Sequence, residues 1–175
     1  MEINFIIAQI FGFLCIVFNV LSMQMKRRRN IIFMLLCLSL FAALNFIFLG
    51  QFAGSYVSLF AILETAINYL FEKKQKPVPV YIVVFYIIAN IILGLLSFNS
   101  LLDIIPIIAA IVFCLAILNK KESGIRKFML LNQILWLFYD FSSGAYSLCI
   151  SNILAIVSTV IALYRFDGRK KKAKS

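Results

Sequence analysis

Ile104-Ile-Pro-Ile-Ile-Ala-Ala-Ile-Val112 is apolar at every position, and so is Leu35-Leu-Cys-Leu38. A strand of a membrane barrel alternates lipid-facing and lumen-facing residues over about ten positions. These runs show no alternation, so they read as helices crossing a bilayer. The surrounding chain agrees. It has 175 residues, 63% hydrophobic and 14% charged, with a mean hydropathy of +1.01. A soluble domain averages about 45–50% apolar and about 25% charged residues. The apolarity excludes a disordered chain, and seven Gly with three Pro exclude a collagen-like or linker-rich one. The chain has no His, which removes the commonest general base and metal ligand. Cys15, Cys37, Cys114 and Cys149 stand singly and read as small core residues.

A spanning helix needs about 20 mainly apolar residues. Basic clusters and turn residues cut the chain into seven such stretches: Phe5 to Gln24, Ile31 to Leu49, Phe52 to Phe71, Val80 to Phe98, Leu101 to Leu118, Phe128 to Phe141, and Tyr146 to Tyr164. The sixth is the shortest. Gly50 and Ser142-Ser143-Gly144 read as turns. Pro106, inside the fifth span, is placed to bend or break that helix.

The basic residues support the same count. Lys26, Arg27, Arg28 and Arg29 follow the first span; Lys73, Lys74 and Lys76 follow the third. Lys120, Lys121, Arg126 and Lys127 follow the fifth; Arg165, Arg169, Lys170, Lys171, Lys172 and Lys174 close the chain. These are all 17 Lys and Arg residues. With seven spans they share one side, which the positive-inside bias makes the cytoplasm, with the N-terminus outside. The net charge of +10 is therefore an orientation signal with some attraction to anionic headgroups, and no nucleic acid is implied. Met1-Glu2 carries no basic leader region, so the first span reads as a retained helix.

An internal repeat underlies the layout. At a shift of 95 residues, Ile16-Val-Phe18 meets Ile111-Val-Phe113, Lys26 meets Lys121, and Phe33-Met-Leu-Leu36 meets Phe128-Met-Leu-Leu131. Phe41 meets Trp136, and Asn45 meets Asp140. After a slip of one, Gly50 meets Gly144, Ala61-Ile62 meets Ala155-Ile156, and Thr65 meets Thr159. The expected fold is all-α: a first triple-helix unit (1–76), a linker helix (77–100), a second triple-helix unit (101–165) and a basic tail (166–175). An odd linker lets both units enter the membrane the same way, facing each other across a cleft.

Polar side chains inside a membrane are expensive and mark function by default. Trp136 lies eight residues before Gly144 and Asn152 eight after it. Both therefore sit roughly 10–12 Å below that turn. An aromatic face beside an amide suits a small polar solute, with Tyr139 one turn above Trp136. The bland alternative makes these belt aromatics and interhelical glue. Asp140 reads either as a carboxylate reaching the outer headgroups or, with its repeat mate Asn45, as a pathway residue. Glu64 lies twelve residues into the third span, about 18 Å from its outer end. No basic residue shares the membrane core with it, so a proton or cation in transit would have to neutralise it, or it is a structural acid bonded to Asn68 or another helix. Asn19, Asn90, Asn132 and Gln133 read as interhelical hydrogen bonders.

Trp136-Leu-Phe-Tyr139, with Asn152 on the next helix, resembles the Trp-x-x-Tyr…Asn pattern of SWEET and SemiSWEET sugar transporters. The 3+1+3 layout is similar to theirs and to that of the PnuC vitamin-precursor transporters. Nearly the whole chain resembles the YgjV family of bacterial inner-membrane proteins, through Gly12 to Ser22, Leu49 to Gly54, Asp103 to Pro106, Ile125-Arg126, Trp136 to Gly144 and Tyr164-Arg165. There are departures. Ser22-Met-Gln24 stands where the wider superfamily has Pro-Gln. Phe41 and Ser58 stand where a symmetric sugar site has Trp and Asn, and Glu64 stands where the YgjV pattern has Arg.

The resemblance implies a carrier of a small polar solute in the bacterial inner membrane: a sugar first, then a nucleoside or vitamin precursor, then an amino acid. Trp136, Asn152, Tyr139, Phe41 and Ser58 would bind it. Glu64, Asp140, Asn45 and Asn68 would couple ions or protons. No enzyme, cofactor or metal site is expected. The expected partners are the bilayer, the solute and further copies of the chain in a homo-oligomer. The rival reading is a non-transporting structural or accessory membrane protein, which a dry, fully packed interface between the units would favour.

Overall fold

The structure is a computed structural model that describes residues 2–96, 98 and 100–168. Asn99 and residues 169–175, which hold most of the basic tail, lie outside the described residues. The described chain is all-helical: α1 (Glu2–Gln24), α2 (Arg28–Leu49), α3 (Phe52–Lys73), α4 (Val80–Leu96), α5 (Ile104–Leu118), α6 (Glu122–Ser142) and α7 (Tyr146–Ala162). A short 3-10 turn, Leu101–Asp103, precedes α5, and a π turn, Leu163–Gly168, follows α7.

Neighbouring helices close into a ring. α2 packs between α1 and α3, α6 between α5 and α7, and the ring is completed where α1 meets α7 and α3 meets α5. α4 lies against α3 and α5. The polarity is inside out. On α1, Ile6, Ile10, Phe13, Val17 and Leu21 recur at helical spacing and are exposed, whereas Asn19 and Ser22 are buried. Burying an apolar side chain against a lipid-facing helix yields little, because lipid is equally apolar. Close packing and interhelical hydrogen bonds must hold the ring. Gly12 provides one close approach, since a Cβ there would collide with Ser147.

Among the described residues, four helical segments are by length and composition apolar enough to cross a membrane: Ile3–Gln24, Arg28–Leu49, Leu101–Leu118 and Tyr146–Asp167. α4 is apolar but shorter. α3 and α6 have the length, with 22 and 21 residues. Their inward polar residues dilute their hydropathy.

Both turn glycines are as expected. Gly50 and Gly144 have φ of 70° and 74°, a left-handed conformation that favours glycine. The same bonds close each turn. Gln51 N–H donates to Phe46 O at 2.9 Å, and Ala145 N–H to Asp140 O at 2.9 Å. Thr65 and Thr159 repeat too, each donating to the carbonyl four residues back, at 2.6 and 2.7 Å.

Two expectations are corrected. Pro106 does not break a span. It sits in the first turn of α5, where no backbone donor is needed, after a capping box in which the Ser100 N–H donates to Asp103 Oδ2 at 2.9 Å. The sixth helix starts at Glu122, not Phe128. Arg126, assigned to a loop, is buried because its guanidinium donates to the end of α1, at Met23 O (3.2 Å) and Met25 O (2.9 Å), and pairs with Asp167 at 3.2 Å. Arg28 does the equivalent in the first half. It donates to Ile117 O (2.8 Å) and Asn119 O (2.9 Å) at the end of α5 and pairs with Glu72 of α3. Each arginine thus ties the start of its half's middle helix to the other half's first helix.

Candidate solute cavity

A cavity of about 80 Å³ lies inside the ring, and all seven helices contribute to its lining. Two apolar clusters bracket it. Toward the Gly50 and Gly144 turns, Phe46 packs on Trp136 (5.7 Å between centroids) and on Tyr139 (6.1 Å), with Cys15, Ala145 and Leu148 behind them. Toward the opposite end, Met23, Ile31, Leu35, Phe113, Ile117 and Met129 pack together. The two arginine clamps lie beyond that second cluster.

The polar lining is organised by helix pairs. Asn152 of α7 donates to Asp140 Oδ2 of α6 at 2.8 Å, and its own carbonyl accepts from Asn19 of α1 at 3.3 Å. Asn19 also donates to Ser151 Oγ at 3.3 Å, and Gln133 donates back to Asn19 at 3.4 Å. Thr159 donates to Gln133 at 3.1 Å. This chain of amides, hydroxyls and one carboxylate joins α6, α7 and α1. Across the cavity, Asn90 of α4 donates to Glu64 Oε1 of α3 at 2.7 Å. Asn132 donates to Ala109 O of α5 at 2.7 Å.

Trp136, Asn152, Ser58, Glu64 and Asp140 all line the cavity. Ser58 and Asn152 are repeat mates and face it from opposite halves. Tyr139 is buried just behind Trp136, ring edge to face at 5.6 Å. Phe41 is elsewhere: it stacks on Phe18 at 5.4 Å and on Phe11 at 6.2 Å, against α1. Its indole counterpart Trp136 turns inward, so the aromatic pair is asymmetric. Asn45 lies at a helix junction, donating to Ala8 O at 2.6 Å and Ser147 Oγ at 3.4 Å. Asn68 donates to the Glu64 main-chain carbonyl at 2.8 Å, so the Glu64 carboxylate takes its amide partner from α4 instead.

Asp140 does not reach the outer headgroups. It is 0% exposed, because Asn152 gives it an internal partner. Its other oxygen has no hydrogen-bond partner among the described residues. Asn19, Asn90, Asn132 and Gln133 make interhelical bonds, as expected, and line the cavity as well. Ser39 and Ser151 also line it and escaped the sequence reading. A lone serine in an apolar span is a weak signal, and Ser151 beside Asn152 was the stronger hint.

The chain belongs to the Imp-YgjV family, described as a bacterial inner membrane protein, which it matches over residues 6–170. No curated protein and no solved structure matches it. The lipid bilayer of the bacterial inner membrane is therefore its surroundings, and the exposed apolar faces of the ring contact that lipid.

Proposed function

We propose that this inner-membrane protein is a carrier of a small polar solute. The supporting observation is the cavity: polar side chains from both halves converge on an internal space reached by Trp136 and Asn152, while the outer faces are apolar. A purely structural bundle has no need of such a space. Pocket polarity at the cost of helix hydropathy is what a solute path requires. The two halves act as triple-helix units in a 3+1+3 arrangement, with α4 as the linker that equalises their orientation. All seven helices cross the bilayer, α3 and α6 with their polar faces sheltered inside. The N-terminus is outside, and the arginine clamps and basic segments are cytoplasmic.

In this reading the conformation is occluded. The Phe46–Trp136–Tyr139 cluster closes the outer side, and the Met23–Ile31–Phe113–Met129 cluster with the two clamps closes the inner side. Alternating access opens one closure at a time. The protein acts as a passive or ion-coupled carrier and not as an enzyme. Within the class, sugars come first by resemblance, followed by nucleosides or vitamin precursors and amino acids.

The test is uptake by proteoliposomes of a panel of labelled sugars, nucleosides, vitamin precursors, amino acids and amines against protein-free vesicles. No protein-dependent uptake across the panel would return the chain to the structural or accessory class. Orientation has its own test: a cysteine at Ser143 should label from outside and one at Arg29 should not, and the reverse outcome would overturn the topology.

A further inference from the structure

What a cavity can carry depends on its charge. Among the described residues, two lining side chains are carboxylates, Glu64 and Asp140, and none is Lys or Arg. Glu64 is 1% exposed and Asp140 0%. Each is held as an acceptor by a neutral amide, Asn90 for Glu64 and Asn152 for Asp140. The basic side chains that reach furthest into the ring, Arg28 and Arg126, are committed to Glu72, Asp167 and helix-end carbonyls. Asp140 retains an oxygen without a hydrogen-bond partner among the described residues.

Uncompensated buried carboxylates are costly, and cargo of different charge changes that cost differently. A phosphate ester or carboxylic acid would add negative charge and meet no cationic donor. A neutral sugar would donate hydroxyls to the carboxylates but bring no opposite charge. A cation with N–H donors would lower the cost and supply donors to the free acceptors. The walls suit a cation too: Trp136, Phe46 and Phe113 present aromatic rings, whose faces attract an ammonium. Among the described residues no three His, Cys, Asp or Glu side chains come together, so a multivalent metal ion lacks its usual ligand set. The volume, about 80 Å³, lies well below the roughly 300–1,000 Å³ of drug-sized pockets and favours a compact head group.

We infer that the cavity selects a small solute bearing a protonated primary amine, with Glu64 and Asp140 as its counter-charges. This rests on the carrier reading above and reorders the solutes within it. The test uses the full chain in vesicles of phosphatidylcholine and phosphatidylglycerol, measuring uptake of labelled ethanolamine and putrescine beside glucose and glycine. Protein-dependent uptake of an amine, with Glu64→Gln and Asp140→Asn each weakening half-saturation about 10- to 100-fold and Glu64→Asp retaining it, is the expected result. Glucose uptake without amine uptake overturns the amine inference and leaves the carrier reading intact. Uptake of none of the four, with none in the wider panel, overturns both. Amine uptake that is indifferent to both neutralising substitutions overturns the assignment of the counter-charges.

Discussion

The two seams between the halves are built differently. Where α1 meets α7, five side-chain hydrogen bonds cross: Asn19 to Ser151 and Asn152, Gln24 to the Ser158 carbonyl and hydroxyl, and Ser158 to Val20 O. Gly12 brings the backbones close at the same seam. Where α3 meets α5, α4 is wedged alongside. α3 and α5 touch directly there, and α4 packs on both, with Asn90 donating to Glu64, Phe60 on Phe85 and Tyr86, and Gly94 tight on Ile107. An interhelical hydrogen bond in a membrane is worth about 0.6 kcal/mol, so the five bonds of the first seam hold roughly 3 kcal/mol. For the carrier proposed above, the α1–α7 seam would be the hinge and the α3–α5 seam the side that parts. The arginine clamps, by contrast, are near-symmetric, one at the same end of each seam.

The largest effect should come from the clamp on the hinge side. Arg126→Ala strands the half-buried Asp167 and the carbonyls of Met23 and Met25 at the end of α1 and should cost about 2–4 kcal/mol. Arg28→Ala, whose ion pair is more exposed, should cost less. Thermal unfolding in detergent compares the two, and equal losses would contradict the asymmetry. Gly12→Ala should follow, at about 1–3 kcal/mol, because the new methyl meets Ser147 and the Asn45 amide. Gly94→Ala meets the Ile107 side chain at the other seam, and a loss there larger than at Gly12 would reverse the assignment of the hinge.

Asn152→Leu keeps the volume and removes the amide that links Asp140 to Asn19. Solute uptake should fall by an equivalent of about 1–3 kcal/mol, while Ser58→Ala, at the matching position of the other half, should lose less than about 1 kcal/mol. Normal uptake by the Asn152 variant would return that residue to a purely structural role. The smallest change is expected at Glu64 when stability alone is read. Glu64→Gln preserves an acceptor for Asn90 and should unfold within about 0.5 kcal/mol of the parent, whereas Glu64→Leu leaves that amide unpaired and should lose about 1–2 kcal/mol. If the two variants unfold alike, the Asn90 bond contributes nothing. If Glu64 carries a coupling proton, Glu64→Gln also makes uptake independent of pH; a wild-type flux without pH dependence would remove that role.

The helices and their turns were legible because their signals are local. Apolar runs of the right length, basic stops and the two left-handed glycines need no knowledge of neighbours. Facing is not local. Phe41 and Trp136 occupy equivalent repeat positions, yet one stacks on α1 and the other enters the cavity. In an evenly apolar helix nothing in the pattern fixes rotation about the axis, and a turn of about 100° per residue separates cavity from lipid. Of the two readings of Asp140, the headgroup one fails for the same reason: it rests on a place near a helix end, while burial is decided by Asn152 twelve residues on. Arg126 was hidden because a basic residue beside a loop reads as solvated until another helix offers it carbonyls.

The inward polarity of α3 and α6 has a consequence for how the chain is made. Each is joined through a tight glycine turn to a helix long and apolar enough to cross a membrane, α3 to α2 and α6 to α7. The insertion machinery should therefore release them as hairpins, the apolar partner carrying the polar one. Lengthening either turn by a flexible insert would separate those partners and leave α3 or α6 stranded outside the lipid.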